Sequence, residues 1–339
     1  MDAKEMLEGL TLDEKKALLE DLREAIAREL DPGRAEPGRC PWCGCAGRSR
    51  KGRDRDGARR WLCKGCGRTY SAKSMGLLAY SKLPPEKWMG FAACLVDLLT
   101  VRESAERCGV SVPTAWFMRV RAQEVMASCL APFRERSRVQ VDGTYLPESF
   151  KGNHRGAFAL PRAAHRNGRD ARRGGRVRLT VCVVCGANDL GDSFARLASR
   201  GKPAAPDLYD AMSGSVGAGS EVETDGWAGY SWAAPALGAS SHGASASWSL
   251  GLVNSLHSRL KGFLRGFRGV STRRLQGYLD WFCYREQHRK AEIDRRESLY
   301  LDECGGSYLH TRRALAESPR PFVVDWYREP SIGGLKGTA

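Results

Sequence analysis

Residues 138–146 read RVQVDGTYL, and this stretch decides how the second half of the chain is interpreted. Apolar valines alternate with polar side chains, which is the period-2 pattern of a half-buried β-strand. The pattern stops at Asp142, a residue type that is disfavoured in strands. Two interpretations are open: Asp142 and Gly143 begin a turn, or the carboxylate belongs to a functional site at the end of the strand.

The composition indicates a basic protein with more than one domain. The chain has 339 residues, of which 42% are hydrophobic, so it can form two or three domains with buried cores. It carries 54 Lys and Arg against 39 Asp and Glu, a net charge of +15. This excess favours a polyanionic partner, and among DNA, RNA and an anionic membrane surface we expect nucleic acid.

No segment predicts export or a membrane anchor. No run approaches the ~18 apolar residues of a membrane-spanning helix, and the start MDAKEMLEGL lacks the basic and apolar regions of a signal peptide. We therefore expect the twelve cysteines to be reduced thiols or metal ligands. The expected location is the bacterial cytoplasm, in association with the nucleoid.

Four cysteines have the spacing of a zinc site. Cys40 and Cys43 form one CxxC pair, and after nineteen residues Cys63 and Cys66 form a second. Each pair can present two thiolates to one tetrahedral Zn²⁺, which predicts a zinc ribbon. The ion would be structural, because four sulfurs leave no open coordination position. The alternative is four unrelated thiols, and Cys45 is close enough in sequence to compete as a ligand.

Residues 84–130 have the pattern of short helices. A capping box can begin one helix at Thr100, and Gly109 can turn the chain before the next helix. Two helices joined by a glycine-containing turn are typical of a helix-turn-helix, although an ordinary helical hairpin has the same pattern. The second helix would place three side chains near DNA, namely Thr114, Arg119 and Arg121.

From residue 138 onward, strand-like segments alternate with helical ones. Strands are predicted at 138–146, 178–187 and 191–199, a helix in PAAPDLYDAMSGSV, and a short strand in EVETDGW that ends on Asp225. Three strands, a helix, a fourth strand and later helices describe an α/β ribonuclease-H-like core, a mixed sheet flanked by helices. In that architecture the carboxylates of the first and fourth strands meet, and here these are Asp142 and Asp225.

Two adjacent carboxylates need a cation, because like charges in one place repel each other. Mg²⁺ accepts oxygen ligands from one or two carboxylates together with substrate phosphate, and such ions support phosphodiester chemistry. Asp142 and Asp225 therefore predict a nuclease or strand-transfer enzyme that uses Mg²⁺ or Mn²⁺.

A later helix supplies the remaining candidates. In LVNSLHSRLKGFLRGF the side chains of Asn254, His257 and Lys261 recur at helical spacing, so they share one face. Asn254 would be a third metal ligand, neutral and weaker than a glutamate, while Lys261 could hold a phosphate as a point charge. Glu286 is a candidate substitute for the third ligand. The alternative is that this face is only the solvated side of an amphipathic helix.

Several motifs of the chain resemble one family of transposases. They are CPWC…CKGC, a helix-turn-helix, VDGTY, SFKGNH, PR, TDGWAGY and VNSLHSRLKGFLRGFRGVSTRRLQGYLDWF. Together they resemble the DDE-type transposases of the insertion-sequence family numbered fifteen-ninety-five (ISXO-two-like), over residues from about 36 to about 288. The resemblance implies a ribonuclease-H-like fold that cuts and joins transposon ends.

The same resemblance implies roles for single residues. Asp142 and Asp225 would be the first two acids, and Lys261 matches the lysine of the family. Asn254 falls where other members carry Glu, and a branch of the family uses Asn there. Gly143 stands where relatives commonly carry Glu.

The implied partner is double-stranded DNA, in the form of terminal inverted repeats and target DNA. Because two transposon ends must be held together, we expect at least a dimer on DNA. The expected DNA contacts, one of them from the helix-turn-helix, are Lys151, Asn153, His154, Arg162, His257, Arg259, Arg265 and Arg119.

The chain is thus predicted to contain five regions. They are an N-terminal amphipathic helix (1–35), a zinc ribbon (36–76), a helix-turn-helix region (77–132), the ribonuclease-H-like core (133–288) and a C-terminal tail (289–339). The predicted function is cleavage of transposon ends and strand transfer of the 3′-OH into target DNA. The alternative is a catalytically inactive DNA-binding regulator derived from a transposase, motivated by Gly143 and Asn254. A plain ribonuclease is disfavoured, because the zinc ribbon and the helix-turn-helix suit duplex DNA.

Overall fold

The computed structural model describes residues 7–29, 37–55, 57–74, 76–79, 81–151, 180–243, 250–289, 315 and 321–322. The chain divides into two units, of which the first holds the described residues up to 129 and the second those from 130 onward. Within the described ranges, no helix combines the length and the apolar character needed to cross a membrane.

The first unit contains a long helix and a small sheet. Helix α1 (Leu12–Glu29) begins at a capping box, in which Thr11 and Glu14 exchange hydrogen bonds between side chain and backbone N–H. The sheet is antiparallel and has three strands, β1 (Arg48–Arg53), β2 (Arg59–Cys63) and β3 (Thr69–Tyr70). Its buried cluster consists of Cys40, Trp61, Cys63 and Tyr70.

Three helices follow the sheet, namely α2 (Pro85–Val96), α3 (Val101–Arg107) and α4 (Val112–Cys129). The predicted capping box at the start of α3 is confirmed, since Thr100 and Glu103 each accept a hydrogen bond from the other's backbone N–H. Gly109 has φ +59, a conformation that glycine adopts without strain, and it turns the chain between α3 and α4. The two helices joined by a glycine turn are therefore present as predicted.

The second unit is built on one mixed sheet of five strands. They are β4 (Arg138–Pro147), β5 (Thr180–Ala187), β6 (Ser193–Arg200), β7 (Glu221–Thr224) and β8 (Ser240–Gly243). The order across the sheet is β6-β5-β4-β7-β8. β5 is antiparallel to both β4 and β6, whereas β7 is parallel to both β4 and β8. Strand β4 therefore lies in the centre, between its antiparallel and its parallel neighbours.

Helices cover both faces of this sheet. On one face, Val141 and Val184 pack in a buried cluster with residues of α5 (Ala205–Met212) and α6 (Ala228–Ala236). The other face carries α7 (Gly251–Gly266) and α8 (Leu275–Gln287), which contact β4, β5 and β6. Successive side chains of a strand point to opposite faces, so Asp142 faces α7 because Val141 faces the α5–α6 cluster.

The structure differs from the sequence prediction at two strand ends. Strand β4 continues through Asp142 and Gly143 to Pro147, so the Asp-Gly pair does not begin a turn. Pairing with β5 along this whole length outweighs the low strand propensity of the two residues. Strand β7 ends at Thr224, which makes Asp225 the first residue after the strand. Strand β8 is missing from the prediction, because its sequence SSHG has no apolar alternation.

Candidate active site

The parallel pairing of β4 with β7 brings the two predicted acids together. The register pairs Gln140 with Glu223. Two residues further along both strands, the same register leads to Asp142 and Asp225, just beyond the last paired position. Burial raises the pKa of the Asp142 carboxyl, and the negative charge of Asp225 raises it further. A neighbouring negative charge has this effect, because it opposes the ionisation of the Asp142 carboxyl.

Asp142 is fixed by its own strand. Its Oδ1 atom accepts a hydrogen bond of 2.7 Å from the backbone N–H of Gly143. This bond and the positive charge of Lys261 lower the pKa of the Asp142 carboxyl, but burial outweighs both. Because the side chain is still 23% exposed, a small ion from solvent can reach it.

Asp225 is positioned by the turn that leads from β7 into α6. Gly226 has φ +81, which allows the chain to bend directly after the acid. The Oδ1 atom of Asp225 accepts a hydrogen bond of 3.0 Å from the backbone N–H of Trp227, the residue that precedes α6. The bond orients the carboxylate, while Asp225 itself stays exposed to solvent.

Helix α7 presents a polar face to these acids. The Nδ1 atom of His257 lies 3.9 Å from Oδ2 of Asp142, and Lys261, one turn later, acts on the pKa of Asp142 through its charge. Asn254 is one turn earlier on the same helix face, and it is exposed. The structure thus places Asp142, Asp225, His257 and Lys261 in one neighbourhood and puts Asn254 in the same row of α7.

His257, which the sequence predicted as a DNA contact, is buried against the carboxylate site. The side chain is 9% exposed, and its Nε2 atom has no hydrogen-bond partner among the described residues. Burial lowers the pKa of His257 to about 4, and the charge of Lys261 acts in the same direction. The ring is therefore neutral at pH 7 and adds no positive charge beside Asp142.

The donor set at this edge fits a divalent cation that prefers oxygen. Two carboxylates lie side by side, and their repulsion contributes to the raised pKa of Asp142. A cation shared by both would remove that repulsion, and Mg²⁺ takes carboxylate and amide oxygens as ligands. The residues that could hold such an ion are Asp142 and Asp225, with Asn254 as a neutral oxygen donor.

Gly143 lies on the opposite face of β4 from Asp142. A Cβ atom at this position would be 3.1 Å from Sγ of Cys182 and 3.9 Å from the hydroxyl oxygen of Tyr230. Both neighbours belong to the cluster formed with α5 and α6. A larger side chain at residue 143 would therefore enter this core and point away from the carboxylates.

A partly buried polar network beside the acids was not predicted from the sequence. The Oε1 atom of Gln140 accepts hydrogen bonds from the backbone N–H groups of Leu252 (2.8 Å) and Val253 (3.3 Å), in the first turn of α7. Its Nε2 atom donates a 2.9 Å hydrogen bond to Glu223, whose other carboxylate oxygen pairs with Arg138. The available signal was that Gln140 lies between two valines and that Glu223 follows a valine, each inside a predicted strand.

The four predicted zinc ligands form one cluster in the first unit. The sulfur atoms of Cys40, Cys43, Cys63 and Cys66 all lie within 4.8 Å of one another. A set of four sulfurs at these distances could hold one tetrahedral zinc ion. Cys45 is not part of the cluster, and its Sγ atom instead lies 3.8 Å from the carbonyl oxygen of a nearby glycine.

One of these thiols is already stabilised as a thiolate by the backbone. The N–H groups of Cys66 and Gly65 point to Sγ of Cys63, at 3.5 Å and 3.3 Å. These hydrogen bonds, that of Cys66 above all, lower the pKa of Cys63 to about 6. The second CxxC turn therefore favours the ionised sulfur that metal binding requires.

Two arginines of α4 are buried, which corrects the prediction that they face DNA. Arg119 is 2% exposed and donates a hydrogen bond to the carbonyl oxygen of Leu99. Arg121 is 4% exposed and donates to the carbonyl oxygens of Leu77 (2.9 Å) and Ala79 (2.7 Å). Both guanidinium groups donate to backbone carbonyl oxygens inside the unit. The local sequence alone had suggested an exposed basic face.

Other predicted DNA contacts have partners inside the second unit. The Nζ atom of Lys151 donates to three carbonyl oxygens at the end of α7, those of Phe267, Arg268 and Gly269. Arg259 pairs at 2.8 Å with Glu286, so this candidate substitute ligand is engaged by an arginine. Arg265 is exposed. Three further candidates lie outside the described residues, namely Asn153, His154 and Arg162.

Comparisons with known proteins identify solved structures but no family. No family model matches the chain, and no curated protein matches it. One similar structure is a pre-cleavage Mos1 transpososome, with 12% identity over 68% of this chain and 82% of the other, at a TM-score of 0.26. Another is a simian T-cell lymphotropic virus intasome in complex with PP2A regulatory subunit B56 gamma, with 12% identity over 74% of this chain and 81% of the other, at a TM-score of 0.24.

Proposed function

We propose that the chain is a metal-dependent DNA transposase with a ribonuclease-H-like core. The observation that carries this proposal is the register of β4 and β7, which brings Asp142 beside Asp225 under the polar face of α7. The order of elements supports the core: three antiparallel strands, a helix, a parallel fourth strand, a helix and a parallel fifth strand. The sequence resemblance to the insertion-sequence family numbered fifteen-ninety-five supports the same assignment.

The residues of the site have distinct tasks in this proposal. Asp142 and Asp225 hold Mg²⁺ or Mn²⁺, with Asn254 as the third, neutral donor. The bound ion supplies positive charge that stabilises a phosphodiester group during cleavage and joining. Lys261 holds a phosphate of the DNA as a point charge. Neutral His257 packs against Asp142 and keeps water from that side of the carboxylate.

The first unit supports binding of duplex DNA. Strand β1 has the sequence RSRKGR, and all of its residues except the first are exposed. These cations and the net charge of +15 suit the phosphate backbone. We propose that this strand and the helices α3 and α4 hold the terminal inverted repeats. Two transposon ends require two chains, so the active form is at least a dimer on DNA.

The proposal is tested by a cleavage and strand-transfer assay. Purified protein is mixed with DNA that carries the inverted repeats flanking its own gene, with Mg²⁺ or Mn²⁺. We expect nicks at the ends and joined products with the natural chain, and neither with Asp142→Ala or Asp225→Ala. Asp189→Ala is the matched control, because Asp189 is an exposed acid in the turn after β5, and this variant keeps activity.

Two results would contradict the proposal in different ways. Cleavage that persists in Asp142→Ala would place the active site elsewhere. Salt-dependent DNA binding without cutting, in both metals and with the natural chain, would favour the alternative function, a DNA-binding regulator without catalysis. This alternative rests on Asn254, because its amide oxygen is a weaker metal ligand than a carboxylate would be in the same place.

A further inference from the structure

We infer that Gln140 and Glu223 are positioning residues, which set where α7 places Asn254 relative to Asp142 and Asp225. The inference rests on the proposed function, because it concerns the same carboxylate site. Neither residue is expected to touch metal or DNA. Both act through the start of helix α7.

The start of α7 is capped from a neighbouring strand. The first N–H groups of a helix have no partner within the helix, and Leu250, which precedes α7, provides no side-chain cap. Gln140 of β4 takes this role, since its Oε1 atom accepts from the N–H groups of Leu252 and Val253. Asn254 is the next residue along the helix. The cap therefore holds the backbone directly before the third proposed ligand.

Glu223 fixes the orientation of the capping amide. Its Oε2 atom accepts a 2.9 Å hydrogen bond from Nε2 of Gln140, which leaves Oε1 of the amide facing α7. Glu223 is only 3% exposed, and Arg138 balances its charge. An amide turned the other way would place its N–H groups against those of α7 and lose all these bonds.

The network is in register with the acids themselves. Gln140 precedes Asp142 by two residues on β4, and Glu223 precedes Asp225 by two residues on β7. Residues two apart on a strand point to the same face. Gln140 therefore lies directly behind Asp142 on the same face of β4, and Glu223 holds the matching position two residues before Asp225. Gln140 is the member of this pair that binds the first turn of α7.

The far end of α7 is held by the segment that follows β4. The Nζ atom of Lys151 donates hydrogen bonds to backbone carbonyl oxygens just after the end of the helix, at 3.2 Å to Phe267 and 2.8 Å to Gly269. A helix bound at both ends cannot easily slide or rotate. Strand β4 and the segment that follows it supply both attachments. The position of Asn254 is therefore fixed relative to β4, the strand that carries Asp142.

The inference is tested first with Gln140→Leu, which keeps the size of the side chain but removes the cap. We expect the cleavage rate to fall by about 10- to 100-fold, as for other residues that orient metal ligands. The Mn²⁺ concentration for half-maximal cleavage should rise, while DNA affinity stays unchanged. Hydrogen exchange at residues 251–254 should become faster, and the thermal stabilisation produced by Mn²⁺ without DNA should decrease.

An exchanged pair provides the rescue. Gln140→Glu alone places a carboxylate against that of Glu223. It should reduce the cleavage rate as much as Gln140→Leu does. Adding Glu223→Gln restores the chain of donors and acceptors in reverse, because the amide then donates to the carboxylate that caps α7. The double variant should recover at least half of the lost rate on a logarithmic scale, together with the Mn²⁺ dependence of the natural chain.

A destabilised control separates positioning from general stability. Val216→Ala removes methyl groups from the cluster on the opposite face of the sheet, and it should leave the Mn²⁺ dependence unchanged. Natural Mn²⁺ dependence in Gln140→Leu would overturn the inference. If the natural chain does not cut DNA, the proposed function fails, but hydrogen exchange and thermal stabilisation by Mn²⁺ still test the inference. Faster exchange at residues 251–254 and weaker Mn²⁺ stabilisation in Gln140→Leu, both reversed in the exchanged pair, would support it. Unchanged exchange and unchanged Mn²⁺ stabilisation in Gln140→Leu would overturn it.

Discussion

The Nδ1 atom of His257 lies 3.9 Å from Oδ2 of Asp142, so helix α7 and the central strand β4 meet at the carboxylate cluster. The imidazole is buried, and its pKa is lowered to about 4. A neutral ring at this contact shields one side of Asp142 without neutralising it. The negative charge of Asp142 and Asp225 thus remains for a cation.

The low pKa of His257 predicts how stability depends on pH. The pKa is about 4 in the folded chain and about 6.5 in the unfolded one, so the unfolded chain binds the extra proton as pH falls from 6.5 to 4. The natural chain should therefore lose stability over this window relative to His257→Gln. Thermal unfolding of both proteins at pH 7.5 and 4.5, without added Mg²⁺, measures the difference. Equal losses in both proteins would contradict the assigned burial.

The raised pKa of Asp142 predicts a pH dependence of stability opposite to that of His257. Burial and the charge of Asp225 penalise the ionised carboxyl, so its contribution to stability is lost as pH rises through its folded pKa. Asp142→Asn should therefore unfold at a higher temperature than the natural chain at pH 7, and the gain should vanish at pH 3. The measurement is calorimetry without added divalent ions. Saturating Mg²⁺ should reduce or reverse the gain, because the natural carboxylate is a stronger ligand for the ion than the neutral amide.

Zinc content tests the cysteine cluster. Cys63→Ser removes a sulfur from the group of four and should abolish stoichiometric zinc binding, with loss of the folded ribbon. Cys45→Ser is the matched control, because Cys45 lies outside the group, and it should retain one zinc per chain. Elemental analysis of both purified variants gives the answer. Full zinc in Cys63→Ser would show that Cys45 can replace the lost ligand.

Replacing Gly143 with glutamate should destabilise this protein. The new Cβ would lie 3.1 Å from Sγ of Cys182, and the carboxylate would enter an apolar core. We expect Gly143→Glu to destabilise the second unit by about 1–3 kcal/mol or more, measured by denaturant unfolding. Combining Gly143→Ala with Cys182→Ala should recover part of the loss seen with Gly143→Ala alone. Higher cleavage activity in Gly143→Glu at unchanged stability would refute this packing argument.

Arg119 is expected to act on stability and not directly on DNA. Arg119→Ala leaves the carbonyl oxygen of Leu99 without this donor in a buried place, at a cost of about 1–3 kcal/mol. Arg102→Ala, at an exposed position of α3, should stay within about 0.5 kcal/mol of the natural chain. Chemical unfolding of both variants makes the comparison. If Arg119→Ala is as stable as the natural chain but binds DNA more weakly, Arg119 contacts DNA directly.

Local patterns in the sequence were enough to predict much of this protein. The CxxC spacing predicted the cluster of Cys40, Cys43, Cys63 and Cys66, and the capping box at Thr100 predicted the start of α3. Alternation predicted the strand around residues 138–146, and helical spacing put Asn254, His257 and Lys261 on one face of α7. These features depend on residues close together in the chain, where period and cap chemistry dominate.

Only the tertiary structure decided what each side chain faces. The apolar alternation stops at Asp142, and it is pairing with β5 that keeps this residue and those after it in the strand. Arg119 is buried, and its guanidinium group donates to the carbonyl oxygen of Leu99, 20 positions away in the chain. The network of Gln140 and Glu223 joins residues 83 positions apart, and it exists only in one register of β4 with β7. A register is set by the packing of whole strands, so no short stretch of sequence carries it.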